Sequence, residues 1–407
     1  MKTIKKKIAI IGGGFAGIHF SRLINKNLSG CSVDLYERNP TLGGKIDTYL
    51  HEGHSYDLGA ITGVRQVYRE VEAMFGKSFN TKKITTSVFH SASNPSGNLF
   101  TALDRGKLIW QLIKYLLLRA YFGTARVKSV SDLPFSEFCQ LHHLPLVEVQ
   151  FRAIFCGCGY GSNKRLPTYY VFHHAGFSLL VNLYFGGFRF YPEGLQNLLI
   201  KNFKNQHPNT KLHLNQSITN IIKANHQLVL MSKHTLLGTY DAVILACNPT
   251  LLTLHEAAAR LFSKLNYFRY NVSLLEFENL YYPTPHVISF ENNMDEIRDH
   301  MPVMIFFTHP NKTTGLTYYY SRDLPNEKLL IEALHQSGFK INSIITSRQY
   351  ENYFPHFTAP SKVEVQSIQG KDHLYYIGES TTFSVLPAIA NMNKEVFSLL
   401  KSSITSN

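Results

Sequence analysis

The stretch that most constrains this chain is residues 7–37, KIAIIGGGFAGIHFSRLINKNLSGCSVDLYE. Lys7 to Ile11 is a short apolar, β-branched run, as a strand buried on both faces requires. Gly12, Gly14 and Gly17 then complete G-x-G-x-x-G, and a helical pattern follows with Phe15, Ile18, Leu23 and Ile24 on its apolar side. Val33 to Tyr36 is the next strand, closed by Glu37. Gly12 lets the chain turn tightly out of the first strand, Gly14 lets a pyrophosphate approach the backbone, and Gly17 lets the helix pack close on the sheet. The helix start at Phe15 and Ala16 offers unpaired N–H groups and a positive dipole end to phosphates. Glu37, twenty residues past Gly17, can accept hydrogen bonds from ribose hydroxyls. Three glycines in a loop are common, but a plain βαβ turn does not explain an acid placed there, so the pattern predicts a dinucleotide site.

At 407 residues the chain can bury a large core, divided between two interleaved domains. Its balance is basic, with 41 Lys and Arg against 28 Asp and Glu, so anionic partners are favoured: a carboxylate or phosphate substrate, or an acidic membrane surface. The charge is dispersed and no nucleic-acid-binding module is present, so no nucleic acid is expected. Cys31, Cys139, Cys156, Cys158 and Cys247 form neither a disulfide framework nor a zinc spacing, so no metal is expected and a reducing, cytoplasmic compartment is. The basic, then apolar start imitates a signal peptide, but Gly12-Gly13-Gly14 interrupts the run, and it is read as mature protein. No apolar run is long enough for a membrane span.

Further along, Gly43-Gly44-Lys45 sits in a turn after the second strand, Thr48 to Leu50 and His54 to Tyr56 suggest a hairpin, and Asp57-Leu58-Gly59-Ala60-Ile61 leads towards a helix near Gln66. An acid, a double-glycine turn and a D-L-G-A segment in this order resemble the FAD-dependent amine-oxidoreductase superfamily. That resemblance implies FAD as cofactor. It places Glu37 and Arg38 at the adenosine ribose, Gly43, Gly44 and Lys45 beside the ribityl phosphate, and Leu58, Gly59, Ala60 and Ile61 near the isoalloxazine. Ser217-Ile218-Thr219 matches the segment that contacts adenine through its backbone, and Ile218 is carried over. At the other end, a strand at His373–Ile377, then Gly378-Glu379, then a helix with Pro387 and Ala388 near its start, is similar to the family's C-terminal flavin motif. Within the superfamily, Gly159-Tyr160-Gly161, Pro167 and Tyr170 resemble the subgroup of polyunsaturated fatty acid isomerases and cyclopiazonate-type dehydrogenases. There the segment lines the substrate cavity, and Tyr160, Tyr170 and Phe383 are the expected lining.

Other segments carry less. Glycines 157, 159 and 161 lack the spacing of a second nucleotide loop, so no fixed NAD(P)H site is expected. Helices are expected at Arg105–Phe122 and Pro134–Val149. The first is apolar nearly all round and admits two readings: a buried cap helix, or one that touches membrane or lines an apolar opening. His173 and His174 point in different directions on a helix, so both are expected to be structural or at the surface unless one faces the substrate. Thr85 and Thr86, with Lys82 and Lys83 before them, stand where a carboxylate clamp is sought, and no arginine is there. No hydrolase motif is present, and no catalytic acid or base is assigned.

The expectation is an α/β chain with a discontinuous Rossmann-like FAD-binding domain (1–78, 190–260 and 365–407) and a substrate domain of mixed sheet and helical cap (79–189 and 261–364). The expected activity is hydride transfer between a mostly apolar small molecule, an unsaturated fatty acid among the options, and flavin N5, with desaturation, oxidation or isomerisation as the outcome. A flavin amine or amino-acid oxidase with an atypical aromatic cage, and a catalytically idle FAD-binding protein, are the alternatives. Substrate, electron acceptor and oligomeric state are left open.

Overall fold

The computed structural model describes all residues except 1–5, 65–66, 77, 89–101, 124–129, 131, 226, 250–251, 253–255, 358–361 and 406–407. Five parallel strands form the nucleotide sheet, in the spatial order Leu374–Tyr376, Ala242–Leu245, Lys7–Ile11, Ser32–Tyr36, Thr210–His213. Its central strand is the first in the chain, and Ile8, Ala9 and Ile10 are fully buried, as a strand covered by helices on both faces must be. Helix Phe15–Asn27 returns from this strand, and the C-terminal helix Leu386–Thr405 packs against it. Asn393 donates from its side chain to the Ala16 carbonyl (2.8 Å) and meets His19 Nδ1 (3.1 Å), fastening the two helices together. A three-stranded antiparallel sheet, Asn220–Ala224, Gln227–Ser232 and Thr235–Tyr240, adjoins in sequence.

The second body is a six-stranded mixed sheet. Its order is Ile341–His356, Asn266–Phe277, Thr314–Tyr320, Pro302–Phe307, His286–Ser289, Thr85–Val88, with only the last pair parallel. Helices Ala102–Gly123, Phe135–Leu141, Pro145–Gly157, Thr168–His174 and Phe177–Gly186 belong to the cap. The fold is therefore α/β, a parallel Rossmann-like sheet joined to a mixed-sheet substrate domain.

Several local expectations change. The helix expected at Pro134–Val149 is two helices, broken at residues 142–144, where His143 takes φ +51°. Pro145 cannot continue a helix but fits the first turn of a new one, and it starts the second. The helix expected near Gln66 falls partly outside the described residues. A short strand, Thr62–Gly63, comes first, and the helix is Arg69–Glu72. Asn94-Pro95-Ser96-Gly97, which reads as a turn in the sequence, lies outside the described residues. Lys82–Lys83 pairs with Arg189–Phe190, and Thr85 and Thr86 are exposed on an edge strand.

Candidate functional site

The site starts where the first strand ends. Gly12 has φ +113°, and a Cβ there would lie 2.6 Å from the Ala246 carbonyl oxygen, so the loop passes tightly against the neighbouring strand's end. A Cβ on Gly17 would overlap the Gly12 carbonyl, so helix and strand meet backbone to backbone. Gly14 has a Cβ position open to 3.8 Å. Ile18 donates the helix's first intrahelical bond to Gly14 (3.1 Å), so the helix itself supplies no acceptors to the N–H groups of Phe15, Ala16 and Gly17. Glu37 is buried at the end of the second strand. Its Oε2 accepts from Gly13 N (2.7 Å) and its Oε1 from Asn39 N (2.9 Å). The carboxylate thus shapes the glycine loop, a role that spacing alone did not reveal.

Four further segments reach this point. Gly43 forms a bridge with Gly14 and donates to the Gly13 carbonyl (2.9 Å), setting the double-glycine turn against the phosphate loop. Gly59 approaches the Lys45 carbonyl so closely that a Cβ would overlap it, and Ala60 N donates to that same carbonyl (3.2 Å), with Leu58 and Ile61 buried beside it. Gln216 N donates to the Glu37 carbonyl (2.9 Å), which brings the segment leading to Ile218 alongside the acid, while Arg38 is exposed. Gly378, with φ +95°, comes close enough that its Cβ would lie 3.3 Å from Ala16 Cβ. Glu379 accepts from Lys45 Nζ, which also donates to the Asn352 carbonyl and lies 5.4 Å over the Tyr353 ring. Pro387 and Ala388 lie in the first turn of the C-terminal helix. All the expected nucleotide-site segments therefore meet around the C-terminal ends of the parallel strands, where ligands bind in open α/β sheets.

Beside Glu379 lies an aromatic cluster centred on Phe383. Its ring stands 4.8 Å from Tyr160, 5.2 Å from Phe354, 6.0 Å from Tyr170 and 6.0 Å from Phe155. His174 stacks on it at 4.7 Å, and burial lowers the imidazole pKa to about 4, so the ring is neutral near pH 7. His173 is exposed. Of the histidine pair, one is thus part of the cluster and the other at the surface. Tyr160 donates to the Ser384 carbonyl (3.2 Å), and the Tyr170 hydroxyl accepts from Phe357 N (2.7 Å). Burial pushes the Tyr160 and Tyr353 phenols well above their usual range. The result is an uncharged aromatic region with the Lys45–Glu379 pair beside it. A cavity of about 220 Å³ opens against it, lined by residues that include Tyr170, Phe383 and Ala388 and the carboxylates of Glu379 and Glu395; Tyr160 is not among its lining residues.

Tyr353 and Phe354 were not singled out from sequence, whereas His174 was, as one of a pair of which one could face the substrate. The signal for the first two was the run Tyr350 to Phe357, which alternates poorly because the strand's pairing slips near Phe268 and Tyr270. Asp57 has a structural task. It is buried and accepts Leu195 N (2.9 Å) at the start of helix Leu195–Lys201 and the Thr48 hydroxyl. Burial raises its pKa to about 7, against those two bonds, which lower it. Among the described residues no three His, Cys, Asp or Glu side chains converge as metal ligands would.

Comparison with known proteins agrees with this architecture. A family model described as an NAD(P)-binding Rossmann-like domain matches residues 10–78. The chain is 46% identical over 54 residues to 4,4'-diaponeurosporene oxygenase of Staphylococcus aureus, a match spanning 13% of this chain and about a tenth (10%) of that relative's length. Among solved structures it superposes on a CLA-producing fatty acid isomerase from P. acnes with a TM-score of 0.82 at 19% identity, over 98% of this chain and 99% of that one. It superposes on cyclohexylamine oxidase from Brevibacterium oxydans with a TM-score of 0.66 at 12% identity, over 98% and 100%. The chain has the amine-oxidase-like flavoenzyme fold, with a Rossmann-type dinucleotide-binding domain.

Proposed function

We propose that this chain is an FAD-dependent oxidoreductase moving a hydride between a C–H bond of a mostly apolar, anionic small molecule and flavin N5. The observation that carries the reading is the convergence described above. The glycine loop, Glu37, the Gly43–Lys45 turn, the Leu58–Ile61 segment and the Gly378–Glu379 turn meet at one place, and an uncharged aromatic cluster adjoins it. The cradle fits the cofactor. Gly14 leaves room for phosphate against the backbone, the first turn of helix Phe15–Asn27 has N–H groups to donate, and Glu37 stands ready for the ribose. Bound FAD supplies the hydride acceptor.

The chain's own residues orient and desolvate. Gly12, Gly14, Gly17 and the helix N-terminus would hold the diphosphate. Gly378, Glu379 and the start of helix Leu386–Thr405 would hold the flavin end, with the helix dipole directed at developing negative charge. Phe383, Tyr160 and Tyr170 exclude water and align an apolar chain. No ionised acid or base is needed, which suits a cluster whose histidine is held neutral. The net charge of +13 favours a carboxylate-bearing substrate over a cationic amine. The likeness to a fatty acid isomerase fold supports an unsaturated fatty acid, with the double bond shifted when the hydride returns to another carbon.

An absorption spectrum of the purified protein, followed by heat release and mass identification of the chromophore, tests the core. Released FAD, and anaerobic bleaching by unsaturated fatty acids but not by amines, is the expected result. A colourless protein that cannot be reconstituted with FAD overturns the reading. Bleaching by amines with peroxide formation in air replaces it with an amine oxidase.

A further inference from the structure

Helix Ala102–Gly123 does not behave as a buried cap helix. It buries Leu108 and Tyr115 on one side. On the other, Leu103, Trp110, Leu117 and Tyr121 follow one another at helical spacing and are 70%, 68%, 68% and 73% exposed, with Ile109 and Ile113 beside them at 45% and 46%. Trp110 is the only tryptophan in the chain. A continuous apolar stripe of this size is unusual on a face that stays in water, and it marks an interaction surface.

The charges around the stripe identify its occupant. Lys107 and Lys114 lie one turn beyond Leu103 and Trp110, so both flank the stripe. Asp104 is the helix's only acid. Arg119 is turned inward and donates to the Phe172 carbonyl (2.5 Å). Phe177, 67% exposed, begins helix Phe177–Gly186, and its neighbour Gly176 sits against the Arg119 guanidinium. A stripe of Leu, Trp and Tyr bordered by lysines is the pattern of a helix that lies in the headgroup region of an anionic bilayer. The net charge of +13 has the same sign as that border. Packing two copies through this face would set lysine border against lysine border, which disfavours a dimer. No helix among the described residues is long and apolar enough to cross a membrane, so the contact is in the plane.

We propose that the Leu103–Trp110–Leu117–Tyr121 face docks this protein on an anionic phospholipid bilayer, with Lys107 and Lys114 at the headgroups. The docking does not depend on the flavin reading. The same helix's buried face packs on the core that continues into the aromatic cluster. Tyr115 lies 5.1 Å from Phe151, Phe151 lies 5.8 Å from Phe155, and Phe155 lies 6.0 Å from Phe383.

The sole tryptophan makes the test direct. The full chain, purified with whatever cofactor it carries, is mixed with vesicles of phosphatidylcholine alone or with phosphatidylglycerol. Trp110 emission is then followed, along with its quenching by brominated lipid, and binding is measured by co-sedimentation. The expected result is a blue shift and quenching on anionic vesicles only, relieved by salt. The Lys107→Gln/Lys114→Gln double variant should bind about 30-fold more weakly, at roughly 1 kcal/mol per lysine. Leu117→Ser should abolish quenching while melting temperature and chromophore content stay at the wild-type level, because Leu117 is 68% exposed. An unchanged Trp110 spectrum with every vesicle overturns the proposal. So does equal binding to neutral and anionic vesicles. A concentration-dependent Trp110 shift without lipid, tracking a dimer in sedimentation, overturns it in favour of a second copy on this face.

Discussion

Substituting Gly12 tests the geometry of the nucleotide loop most directly. An alanine there meets two separate penalties. Its φ of +113° lies where side-chain-bearing residues are strained by about 1–3 kcal/mol. Its methyl would stand 2.6 Å from the Ala246 carbonyl oxygen, against an ordinary carbon–oxygen contact of about 3.3 Å, so the loop must retreat by about 0.7 Å. The Phe15–Gly17 N–H groups move with it. Losing one charge-assisted bond to a phosphate costs about 1.5–3 kcal/mol, or about 10- to 100-fold in affinity. Two controls separate the causes. Gly53 has φ +77° but nothing within 4 Å of its Cβ position, so Gly53→Ala bears the backbone cost alone. Gly30 has neither a positive φ nor a neighbour within 4 Å, so Gly30→Ala should be silent. Deflavinated protein is titrated with FAD by fluorescence quenching, and each variant is melted. The expected order has Gly30→Ala at wild type, Gly53→Ala about 1–2 kcal/mol less stable with unchanged affinity, and Gly12→Ala weakened in both. Wild-type FAD affinity in Gly12→Ala would refute the claim that this close approach positions the phosphate donors.

Three more outcomes are expected. Glu37→Gln sets an amide N–H against either Gly13 N or Asn39 N, both of which now donate to the carboxylate, and should weaken FAD binding about tenfold or more in the same titration. His207 is 3% exposed, stacks on Phe203 at 4.2 Å, and has its pKa lowered to about 4 by burial. The unfolded chain therefore binds a proton below pH 6.5 that the folded chain refuses, and this contribution, complete above pH 6.5, is lost as pH falls towards 4. The loss amounts to about 3 kcal/mol, and urea unfolding of His207→Phe, in which Ser21 keeps its bond to Thr210, should show a correspondingly shallower acid slope. Phe383→Ala should cost about 3–5 kcal/mol as a core truncation. If the cluster lines a cavity, a long-chain unsaturated fatty acid should restore part of the lost melting temperature, and an absence of rescue would leave Phe383 as core.

What could be read from sequence follows from how each element is determined. The nucleotide loop was legible because its residues act locally: a buried strand, three glycines and an acid at fixed spacing specify the backbone they sit on. The hairpin Thr48–His51/His54–Asp57 was legible for the same reason, since Glu52 and Gly53 carry the two positive φ values a two-residue turn needs. Strand Ile341–His356 was not. It lies at the sheet edge, half exposed, with several slips in its pairing, so period-2 alternation is erased. It nevertheless supplies Tyr353, Phe354 and His356 to the aromatic cluster. Helix Ala102–Gly123 was visible as a helix, but a sequence apolar nearly all round cannot say which face is covered. The work of Asp57 was hidden because its partners, Leu195 and Thr48, come from separate stretches.

The order of the parallel sheet explains why one site draws on both ends of the chain. The first strand is central, Ala242–Leu245 flanks it, and Leu374–Tyr376 is added last, beyond that. The Ala242–Leu245 strand thus joins the first strand to the last, and Gly378 and the start of the final helix stand beside the Phe15 helix. Asn393 fixes that placement through Ala16 and His19. Lys45 adds a second tie by bonding Glu379 and the Asn352 carbonyl together, so the double-glycine turn, the C-terminal turn and the edge strand of the mixed sheet share one cation. The nucleotide loop is encoded within 31 residues, but the pocket beside it exists only when segments more than 300 residues apart are joined. A fragment ending before Leu374 would keep the fingerprint and lack Glu379 and Phe383. On this architecture the fingerprint is local, whereas the site as a whole is a property of the complete fold.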